Sequence, residues 1–359
     1  MNGTDYVAKP ALTAKQVKFV LEDQFGFAPK CIKNIKELAS YDDQNFCVKL
    51  KPNGRKIVLK ITNWKDSENK HLIREITLMM LELAKSIPCS VPIKTTDGEV
   101  FGHYSYESAI GRKDCIVRVF EYLPGKTLQK GHLKASQAFQ WGSLLARMHR
   151  AMQDLEFPLI EERNFLWSWE GVLKVRQFIG VHSDEKKRAL INTALQKYET
   201  IAHAQLAMEE RVIIHGDLNE QNVLVNDSGE VYAALDFGDC HGGPAVWDLA
   251  VVLAYIGSVV KDLDQDLLGH CGQALLGYYR HFPAAMYMDA DVETIRIMIC
   301  ARLAQSLTLG LVTYEHSKDP YVLGSQNAWA CLEKLLSEPR ENIVNTWKKY
   351  LDPLGFVVT

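Results

Sequence analysis

The stretch IIHGDLNEQNVLVNDSGEVYAALDFGD, residues 213–239, decides the fold and the chemistry expected of this chain. It contains two polar loops, each after a short apolar run, and a turn joins them. The first loop carries Asp217 and Asn222, and the second carries Asp236 and Asp239. Carboxylate and amide oxygens suit a divalent cation that also binds phosphate. The stretch therefore predicts two neighbouring loops that hold a metal ion and phosphate groups.

The polar residues of these loops have separate predicted tasks. Asp217 is the candidate base that accepts the proton of an attacking hydroxyl group. Asn222 would bind the metal through its amide oxygen without adding charge, and Asp236 would bridge the metal and the phosphates. Asp239 either binds a second metal or stabilises the loop. His215 is expected to fix the loop through its ring nitrogens.

The composition is that of an ordinary soluble globular protein. The 359 residues are 47% hydrophobic, and 41 basic and 44 acidic residues give a net charge of −3. No nucleic-acid partner is therefore expected. Eight scattered cysteines argue against a zinc site and fit a reducing, cytoplasmic location. The N-terminal MNGTDYVAKP lacks the apolar core of a secretory signal, and the most apolar run, Leu249–Val260, is too short to span a membrane.

Residues 1–121 predict a small antiparallel sheet with helices against it. NFCVKL and KIVLKITN alternate in polarity and flank a turn at Pro52–Gly54, so they form a hairpin. Helices are predicted on either side, over Leu12–Gln24 and Asp66–Ala84. The composition changes at a Pro-Gly pair, which predicts a hinge over residues 122–125.

Helices dominate the predicted second domain, residues 126–359, which contains the two polar loops. The expected fold class is α+β, with a small N-terminal part built on an antiparallel sheet and a larger, mostly helical C-terminal part. The apolar periodicity predicts helices over Lys134–Gln153, Ser183–Met208, Val246–Val260, Leu267–His281, Asp291–His316 and Leu323–Leu336.

Two charged residues of the first domain are candidates for holding nucleotide phosphates. Lys60 lies on an otherwise apolar strand, where a lysine needs an anion, and Glu75 lies on the following helix. A strand lysine paired with a helix glutamate is the arrangement that kinases use. A solvated edge-strand lysine is the alternative. The loop before the hairpin offers Ser40, Gln44 and Asn45 as donors to phosphate, or is simply a polar turn.

Two further residues lie on predicted helices of the second domain. Arg302 shares a largely apolar face, and a guanidinium there must be paired. Its partner is either a protein carboxylate or a substrate carboxylate held bidentately. Asp248 opens an apolar helix, where the helix dipole favours it, and is expected to brace the catalytic loop.

Several motifs together resemble the aminoglycoside phosphotransferase and choline kinase superfamily, which is protein-kinase-like. They are HGDLNEQN (215–222), LDFGD (235–239) and WDLA (247–250). Protein kinases instead have HRDLK and a long activation segment. Within the superfamily the chain resembles the hydroxylysine kinases. The segments that carry this likeness are SYDDQNF (40–46), VLKI (58–61), VRVFEYLPG (117–125), RNFLW (163–167) and CARLAQSL (300–307).

The resemblance implies a bilobal, kinase-like fold with a nucleotide between its lobes. The small N-terminal lobe, residues 1–121, would bind the nucleotide, and the larger helical C-terminal lobe would hold the catalytic loop and the substrate site. The resemblance also implies Mg²⁺ as cofactor, GTP as the preferred donor, and phosphorylation of the side-chain hydroxyl of 5-hydroxy-L-lysine by direct in-line transfer. Backbone groups from Glu121 to Leu123 would contact the base. An amino-acid substrate with a second amine would place its carboxylate on Arg302, its amines near Asp217 and Asp239, and its methylene chain or an ammonium against Trp167. Glu161 or Glu162 would add negative potential.

Other acceptors remain open at this point. A kinase of the same fold could use homoserine, choline, ethanolamine, a sugar or an aminoglycoside, with ATP or GTP. A non-catalytic nucleotide-binding protein and a protein kinase are further alternatives. The expected partners are a small amino-acid substrate and a nucleotide, without a membrane. The sequence does not determine the oligomeric state.

Overall fold

The computed structural model describes residues 7–108, 111–128, 132–281, 292–323 and 326–355. The chain divides into two compact units. The first unit contains residues 1–85 and 89–123, and the second contains residues 86–88 and 124–359.

An antiparallel sheet forms the centre of the first unit. Its described strands lie in the order β1-β2-β3-β6-β4, and β5 also pairs with β6. The predicted hairpin is confirmed, with Asn45 opposite Lys60 in its register. The strands are β1 (Ile32–Leu38), β2 (Gln44–Leu50), β3 (Lys56–Ile61), β4 (Pro92–Ile93), β5 (Gly102–Ser108) and β6 (Gly111–Glu121).

Among the described residues of this unit, two α-helices accompany the sheet, α1 (Ala14–Phe25) and α2 (Lys70–Leu83). Thr13 caps α1. Asn69 accepts a hydrogen bond from the Leu72 amide and so begins α2 later than the predicted start at Asp66. Alternate side chains of β2 are buried in one cluster with the apolar face of α1, since successive strand residues point to opposite faces.

Helices form most of the second unit. The strands there are short and lie in a three-stranded sheet, β10-β9-β7, and a two-stranded one, β11-β8. The helices are α3 (Ala135–Met152), α4 (Pro158–Glu161), α5 (Glu185–Lys197), α6 (His203–Leu206), α7 (Ala245–Val259), α8 (Leu263–His281), α9 (Val292–Ser317), α10 (Gln326–Ser337) and α11 (Arg340–Leu351). The strands are β7 (Lys126–Thr127), β8 (Arg211–Ile214), β9 (Val223–Val225), β10 (Val231–Ala234) and β11 (His241–Pro244).

Most predicted helices of the second unit are confirmed, with ends that differ by a few residues. The predicted helix over residues 183–208 is confirmed as a continuous helical stretch from Glu185 to Leu206, but it is not one regular α-helix. A π-helical turn, Tyr198–Ala202, separates α5 from α6 and carries Tyr198 into the core, where its hydroxyl donates to Trp169. A 3-10 helix, Trp169–Val181, was not predicted. Residues 291, 324 and 325, which fall in two of the predicted helices, lie outside the described residues.

Helix α9 is long and apolar enough to cross a membrane by length and composition. However, 83% of the apolar 18-residue stretch of this helix is buried within the protein. Helix α7 is similarly enclosed, with its residues from Ala245 to Ala254 all buried. Both are therefore core helices, and any charged side chain on them must find a partner inside the protein.

Candidate active site

Two short strand pairs bring the predicted loops together. β8 pairs with β11, and β9 pairs with β10, so the loop after β8 and the loop after β10 meet. The amide of Leu235 donates to the carbonyl of Asn222 at 2.8 Å. Gly216 has φ +79°, and a Cβ there would lie 2.5 Å from the carbonyl oxygen of Asp239. Only glycine permits this close approach of the two loops.

His215 fixes the first loop, as predicted. Its Nε2 donates to the carbonyl of Leu235 at 2.9 Å, and its Nδ1 accepts the amide of Asp217 at 3.3 Å. The ring is fully buried and lies 4.9 Å from the ring of Phe237. Burial lowers the pKa of His215, so the neutral ring with one donor and one acceptor is favoured.

Asp248 braces the same loop from the first turn of α7, as expected. Its carboxylate accepts the amides of His215 and Gly216 at 2.8 and 2.9 Å. It also accepts a hydrogen bond from Nε2 of His149 at 3.0 Å. The side chain is fully buried, so these donors are what make its burial tolerable.

Asp217 is held by three side chains. Its Oδ1 pairs with Nη2 of Arg302 at 2.7 Å, and its Oδ2 accepts Nδ2 of Asn219 at 2.7 Å. Nδ2 of Asn222 donates to its carbonyl at 2.8 Å. The Asp217 side chain is 21% exposed, so a small molecule can still reach the carboxylate.

Burial raises the pKa of Asp217 to about 7, and the carboxylates of Asp239 and Asp236 act in the same direction. The guanidinium of Arg302 opposes this shift. A carboxylate in these surroundings can accept a proton near neutral pH, which suits a general base.

The partner of Arg302 is a protein carboxylate, that of Asp217. Nη2 also donates to the hydroxyl of Tyr255, and Nη1 to the side chain of Gln305 at 3.0 Å and the carbonyl of Trp167 at 3.5 Å. Because both terminal nitrogens already bind protein groups, bidentate binding of a substrate carboxylate by them does not fit this arrangement. The side chain is only 1% exposed.

The other predicted residues of the second unit have varied surroundings. Asp236 is exposed and has φ +52°, which is strained for a residue with a side chain. Asp239 is half-buried, and its carbonyl accepts Nδ1 of His241. The ring of Trp167 lies 5.2 Å from the guanidinium carbon of Arg302, so one of its contacts is a cation of the protein itself. The roles of these residues towards a metal or substrate stay predictions.

Glu161 and Glu162 do not line the small cavity that Arg302 lines. They lie on an open cavity of about 360 Å³ together with Arg211. The carboxylate of Glu161 accepts the amide of Phe157 at the start of α4.

In the first unit, Nζ of Lys60 lies 3.0 Å from the carboxylate of Asp43, and both side chains are largely buried. Asp43 also accepts the amide of Asn63 at 2.8 Å, which ties the loop to the end of β3. The lysine on this apolar strand therefore has an anion beside it. Its pairing with Glu75, which is half-buried on α2, stays a prediction.

The structure corrects the assignment of Gln44 to the nucleotide. Its side chain accepts the amide of Leu12 at 2.7 Å and donates to Glu37 at 3.1 Å, and the residue is buried. Its polar atoms therefore bind protein groups and are not directed at phosphate. The hydroxyl of Ser40 donates to the carbonyl of Asp43. In Asn45 the acceptor Oδ1 is buried without a hydrogen-bond partner in the described part of the chain, and only its Nδ2 could donate to phosphate.

At the end of β6, the amide of Glu121 donates to the carbonyl of Val91, and its side chain pairs with Arg55. Neither group is directed at a nucleotide base. Leu123 is half-buried, and its contact with the base stays a prediction.

Three residues around Asp217 were not predicted: Asn219, Tyr255 and Gln305. Asn219 and Gln305 had a usable signal, because each lies within three residues of a predicted site residue on a loop or helix. Tyr255 is 47 residues from Arg302 in sequence, and only the packing of α7 against α9 brings the two side chains together.

These features are those of the protein kinase-like phosphotransferases. They are a small antiparallel sheet, a helical second unit and two neighbouring loops with Asp217, Asn222 and Asp236, here called the Asp-Asn-Asp loop pair. A sequence profile of the phosphotransferase enzyme family matches residues 34–284, which is more than half of the chain. The chain belongs to this family. It is a small-molecule kinase that transfers a phosphoryl group to a hydroxyl group.

Individual relatives cover nearly the whole chain. The hydroxylysine kinase of Mus musculus is 26% identical over 362 residues, which cover 95% of this chain and 93% of the relative. The hydroxylysine kinase of Xenopus laevis is 26% identical over 367 residues, which cover 96% and 95%. The chain thus resembles hydroxylysine kinases along its length, as its motifs indicated.

A solved structure shares the fold. The amicoumacin kinase in complex with AMP-PNP, Ca²⁺ and its ligand matches with a TM-score of 0.66 and 16% identity, over 92% of this chain and 93% of that one. The kinase-like α+β fold expected from the sequence is therefore confirmed.

Proposed function

We propose that the chain is a hydroxylysine kinase, which transfers the γ-phosphoryl group of GTP to the side-chain hydroxyl of 5-hydroxy-L-lysine. The observation that carries this proposal is the match of about 95% of the chain to relatives named hydroxylysine kinase. The arrangement around Asp217 supports the reaction class. GTP is proposed from the same resemblance, with ATP as the alternative donor.

Asp217 is the proposed base. Arg302 and Asn219 each hold one oxygen of its carboxylate, so its orientation is fixed before the acceptor binds. The carboxylate accepts the proton of the acceptor hydroxyl as the oxygen attacks the phosphorus in line with the leaving nucleotide oxygen. No phospho-enzyme forms in this proposal.

Asn222 and Asp236 fit a Mg²⁺ ion. The amide nitrogen of Asn222 donates to Asp217, so its oxygen is the atom available to a cation. The exposed carboxylate of Asp236 follows Leu235, which is hydrogen-bonded to Asn222. Oxygen ligands of this kind suit Mg²⁺, which takes its remaining ligands from phosphates and water. When bound, the ion would neutralise charge on the phosphates.

Lys60 and Asn45 are the first-unit groups proposed to bind nucleotide phosphate. They lie opposite each other on β3 and β2. Asp43 holds the lysine ammonium in place. Glu75, Ser40 and Leu123 are further residues proposed to contact the nucleotide.

A cytoplasmic location is part of the proposal. All eight cysteines are free thiols, and six of them are buried. Isolated reduced cysteines are typical of proteins in a reducing compartment.

The experiment that tests this function is a nucleoside-diphosphate release screen. It crosses GTP and ATP with hydroxylysine, lysine, homoserine, choline and ethanolamine. The expected result is the highest kcat/KM for hydroxylysine with GTP and no turnover with lysine, which lacks the hydroxyl. A highest kcat/KM for choline, ethanolamine or homoserine would refute the proposed acceptor. Nucleotide binding without any turnover would refute catalysis.

A further inference from the structure

Arg163 begins the RNFLW motif, and its guanidinium binds the loop that carries Asp236. Its Nη1 donates to the carbonyl of Gly238 at 2.6 Å and to the carbonyl of Cys240 at 3.0 Å. Arg163 follows α4 in the chain and is 75 residues from Gly238 in sequence. These two hydrogen bonds therefore fix the loop after β10 to a separate part of the second unit.

Gly238 connects this guanidinium to Asp236. The amide of Gly238 donates to Oδ1 of Asp236 at 3.3 Å, and the carbonyl of the same glycine accepts the hydrogen bond from Arg163. A shift of Gly238 would therefore change the support of the Asp236 carboxylate. Arg163 thus acts on Asp236 through a single intervening residue.

The backbone of Asp236 needs support from both sides. Its φ of +52° costs free energy in a residue with a side chain, and such a conformation persists only where its surroundings fix it. On the N-terminal side, the amide of Leu235 donates to the carbonyl of Asn222 at 2.8 Å. On the C-terminal side, the two carbonyls bound by Arg163 provide the corresponding support.

The carbonyl between these two also accepts a side-chain hydrogen bond. It belongs to Asp239, and Nδ1 of His241 donates to it at 2.8 Å. The ring of Phe165 packs against both donors. Its centroid lies 3.9 Å from the guanidinium carbon of Arg163 and 5.4 Å from the centroid of the His241 ring. This cation–π contact favours the observed position of the guanidinium.

The other end of the RNFLW motif is bound to α9. Nε2 of Gln305 donates to the carbonyl of Leu166 at 2.8 Å and to the carbonyl of Ser168, which follows the motif, at 3.1 Å. The side-chain oxygen of Gln305 accepts a hydrogen bond from Arg302, the guanidinium that pairs with Asp217. The motif therefore connects the Asp236 loop to the side chains that orient the proposed base.

We propose that Arg163 is a positioning residue for the metal ion, and that it holds the loop after β10 so that the carboxylate of Asp236 is in place before Mg²⁺ binds. This inference rests on the proposed role of Asp236 as a ligand of Mg²⁺. Arg163 acts through the loop and contacts neither the ion nor the acceptor. Removing a group that orients a metal ligand usually lowers metal affinity or activity about 10–100-fold.

A Mg²⁺ titration of Arg163→Gln tests the proposal without an acceptor. Thermal unfolding at a fixed GTP concentration gives the Mg²⁺ concentration at half-maximal stabilisation, here called the Mg²⁺ midpoint. This midpoint should rise at least about tenfold in the variant. Stabilisation by GTP alone should stay the same. A general loss of stability would lower Tm at every Mg²⁺ concentration but leave the midpoint unchanged, and an unchanged midpoint would overturn the proposal.

Arg188→Gln is the matched control. Arg188 is half-buried like Arg163, and its Nη1 also donates to two backbone carbonyls, those of His182 at 2.7 Å and Ser183 at 3.0 Å. These contacts lie at the start of α5, outside the Asp236 loop. The Mg²⁺ midpoint of this variant should stay within about twofold of the wild-type value, since no metal ligand depends on Arg188. Equal shifts in both variants would contradict the proposal.

The variant Arg163→Lys serves if Arg163→Gln does not fold. Lysine keeps the positive charge, but its side chain is shorter and replaces the planar guanidinium with a single ammonium. The loop must move to keep both hydrogen bonds, so the Mg²⁺ midpoint should rise at least about threefold. A wild-type midpoint in Arg163→Lys would likewise overturn the proposal.

The inference and the proposed metal site can fail separately. Asp236→Asn should also raise the Mg²⁺ midpoint. If it does and the Arg163 variants do not, the inference fails and Asp236 stands as a ligand. If neither residue affects the midpoint, the proposed role of Asp236 fails and the inference fails with it. No acceptor is present in this measurement, so the result does not depend on which acceptor the enzyme uses.

Discussion

Asp217 shows how a half-buried carboxylate can be both held and available. Arg302 and Asn219 each bind one of its oxygens, and the side chain keeps 21% of its surface exposed. The guanidinium compensates the charge, while nearby Asp236 and Asp239 favour protonation. The base is thus oriented by its neighbours before an acceptor arrives.

The substitution Asp217→Asn should lower kcat by roughly two to four orders of magnitude, because proton transfer by a positioned base contributes about that much. The amide keeps a similar shape and can still accept a hydrogen bond from Arg302. Nucleotide affinity should therefore change little. Steady-state kinetics and calorimetric titration with nucleotide measure the two effects. A kcat near that of the wild type would exclude Asp217 as the base.

His241 should make stability fall as the pH falls. Burial lowers its pKa to about 4 from an ordinary value of 6.5. The folded state therefore holds the neutral ring, and the unfolded chain takes up a proton below about pH 6.5. This contribution is complete above pH 6.5 and is lost on acidification towards pH 4, by roughly 2 kcal/mol between pH 7 and pH 5.

The variant His241→Asn isolates this contribution. An asparagine amide can replace Nδ1, which donates to the carbonyl of Asp239, but it does not titrate. Denaturant unfolding at pH 7 and pH 5 should show a smaller loss of stability for the variant. Burial also lowers the pKa values of His182 and His215, and both remain in the variant. Equal losses in both proteins would show that His241 titrates normally.

Among the elements, α3 and α8 approach each other closely through two glycines. A Cβ on Gly142 would lie 2.0 Å from the carbonyl oxygen of Ala274, and a Cβ on Gly277 would lie 2.0 Å from that of Phe139. Each clash involves backbone, which cannot move without shifting a helix. These glycines therefore set the distance between α3, which carries His149, and α8.

Replacing Gly277 with alanine should reduce the free energy of unfolding by about 1–3 kcal/mol, the usual effect of overpacking. The higher helix propensity of alanine offsets only part of this loss. Gly180→Ala is the matched control, since a Cβ there meets nothing within 4 Å. Denaturant unfolding of the two variants checks the prediction. A Gly277→Ala protein as stable as the control would contradict the close approach.

At the scale of the whole molecule, nucleotide with Mg²⁺ should stabilise the protein, since a ligand that binds only the folded state adds its binding free energy. At a hundred times Kd this is about 2.7 kcal/mol. Thermal unfolding with GTP, with and without Mg²⁺, measures the effect. Chelation of Mg²⁺ should abolish turnover and most of the added stability.

The variant Asp236→Asn should remove most of the Mg²⁺-dependent part of this stabilisation. An amide at this exposed position keeps the local shape but binds the cation more weakly. Asp227→Asn, at another exposed position, is the control. If the Mg²⁺-dependent shift is the same in both variants, Asp236 is not a ligand of the ion.

Motif spacing located the loop residues well because they are close in sequence. His215, Asp217 and Asn222 lie within one loop, and their hydrogen bonds are mostly local. Gln44 was misassigned for the opposite reason. Its partner is the backbone of Leu12, 32 residues earlier, and no local pattern reveals that contact.

The sequence by itself determined the strand hairpin, most of the helices and the Asp-Asn-Asp loop pair in residues 213–239. Periodicity and loop spacing are local, so the chain encodes them directly. Only the tertiary structure decided the partner of Arg302. Helix α9 places that guanidinium in the core of the second unit. There it binds the side chains of Asp217 and Tyr255, which come from distant parts of the chain. Such a pairing depends on packing between elements, and the pattern of any one of them does not contain it.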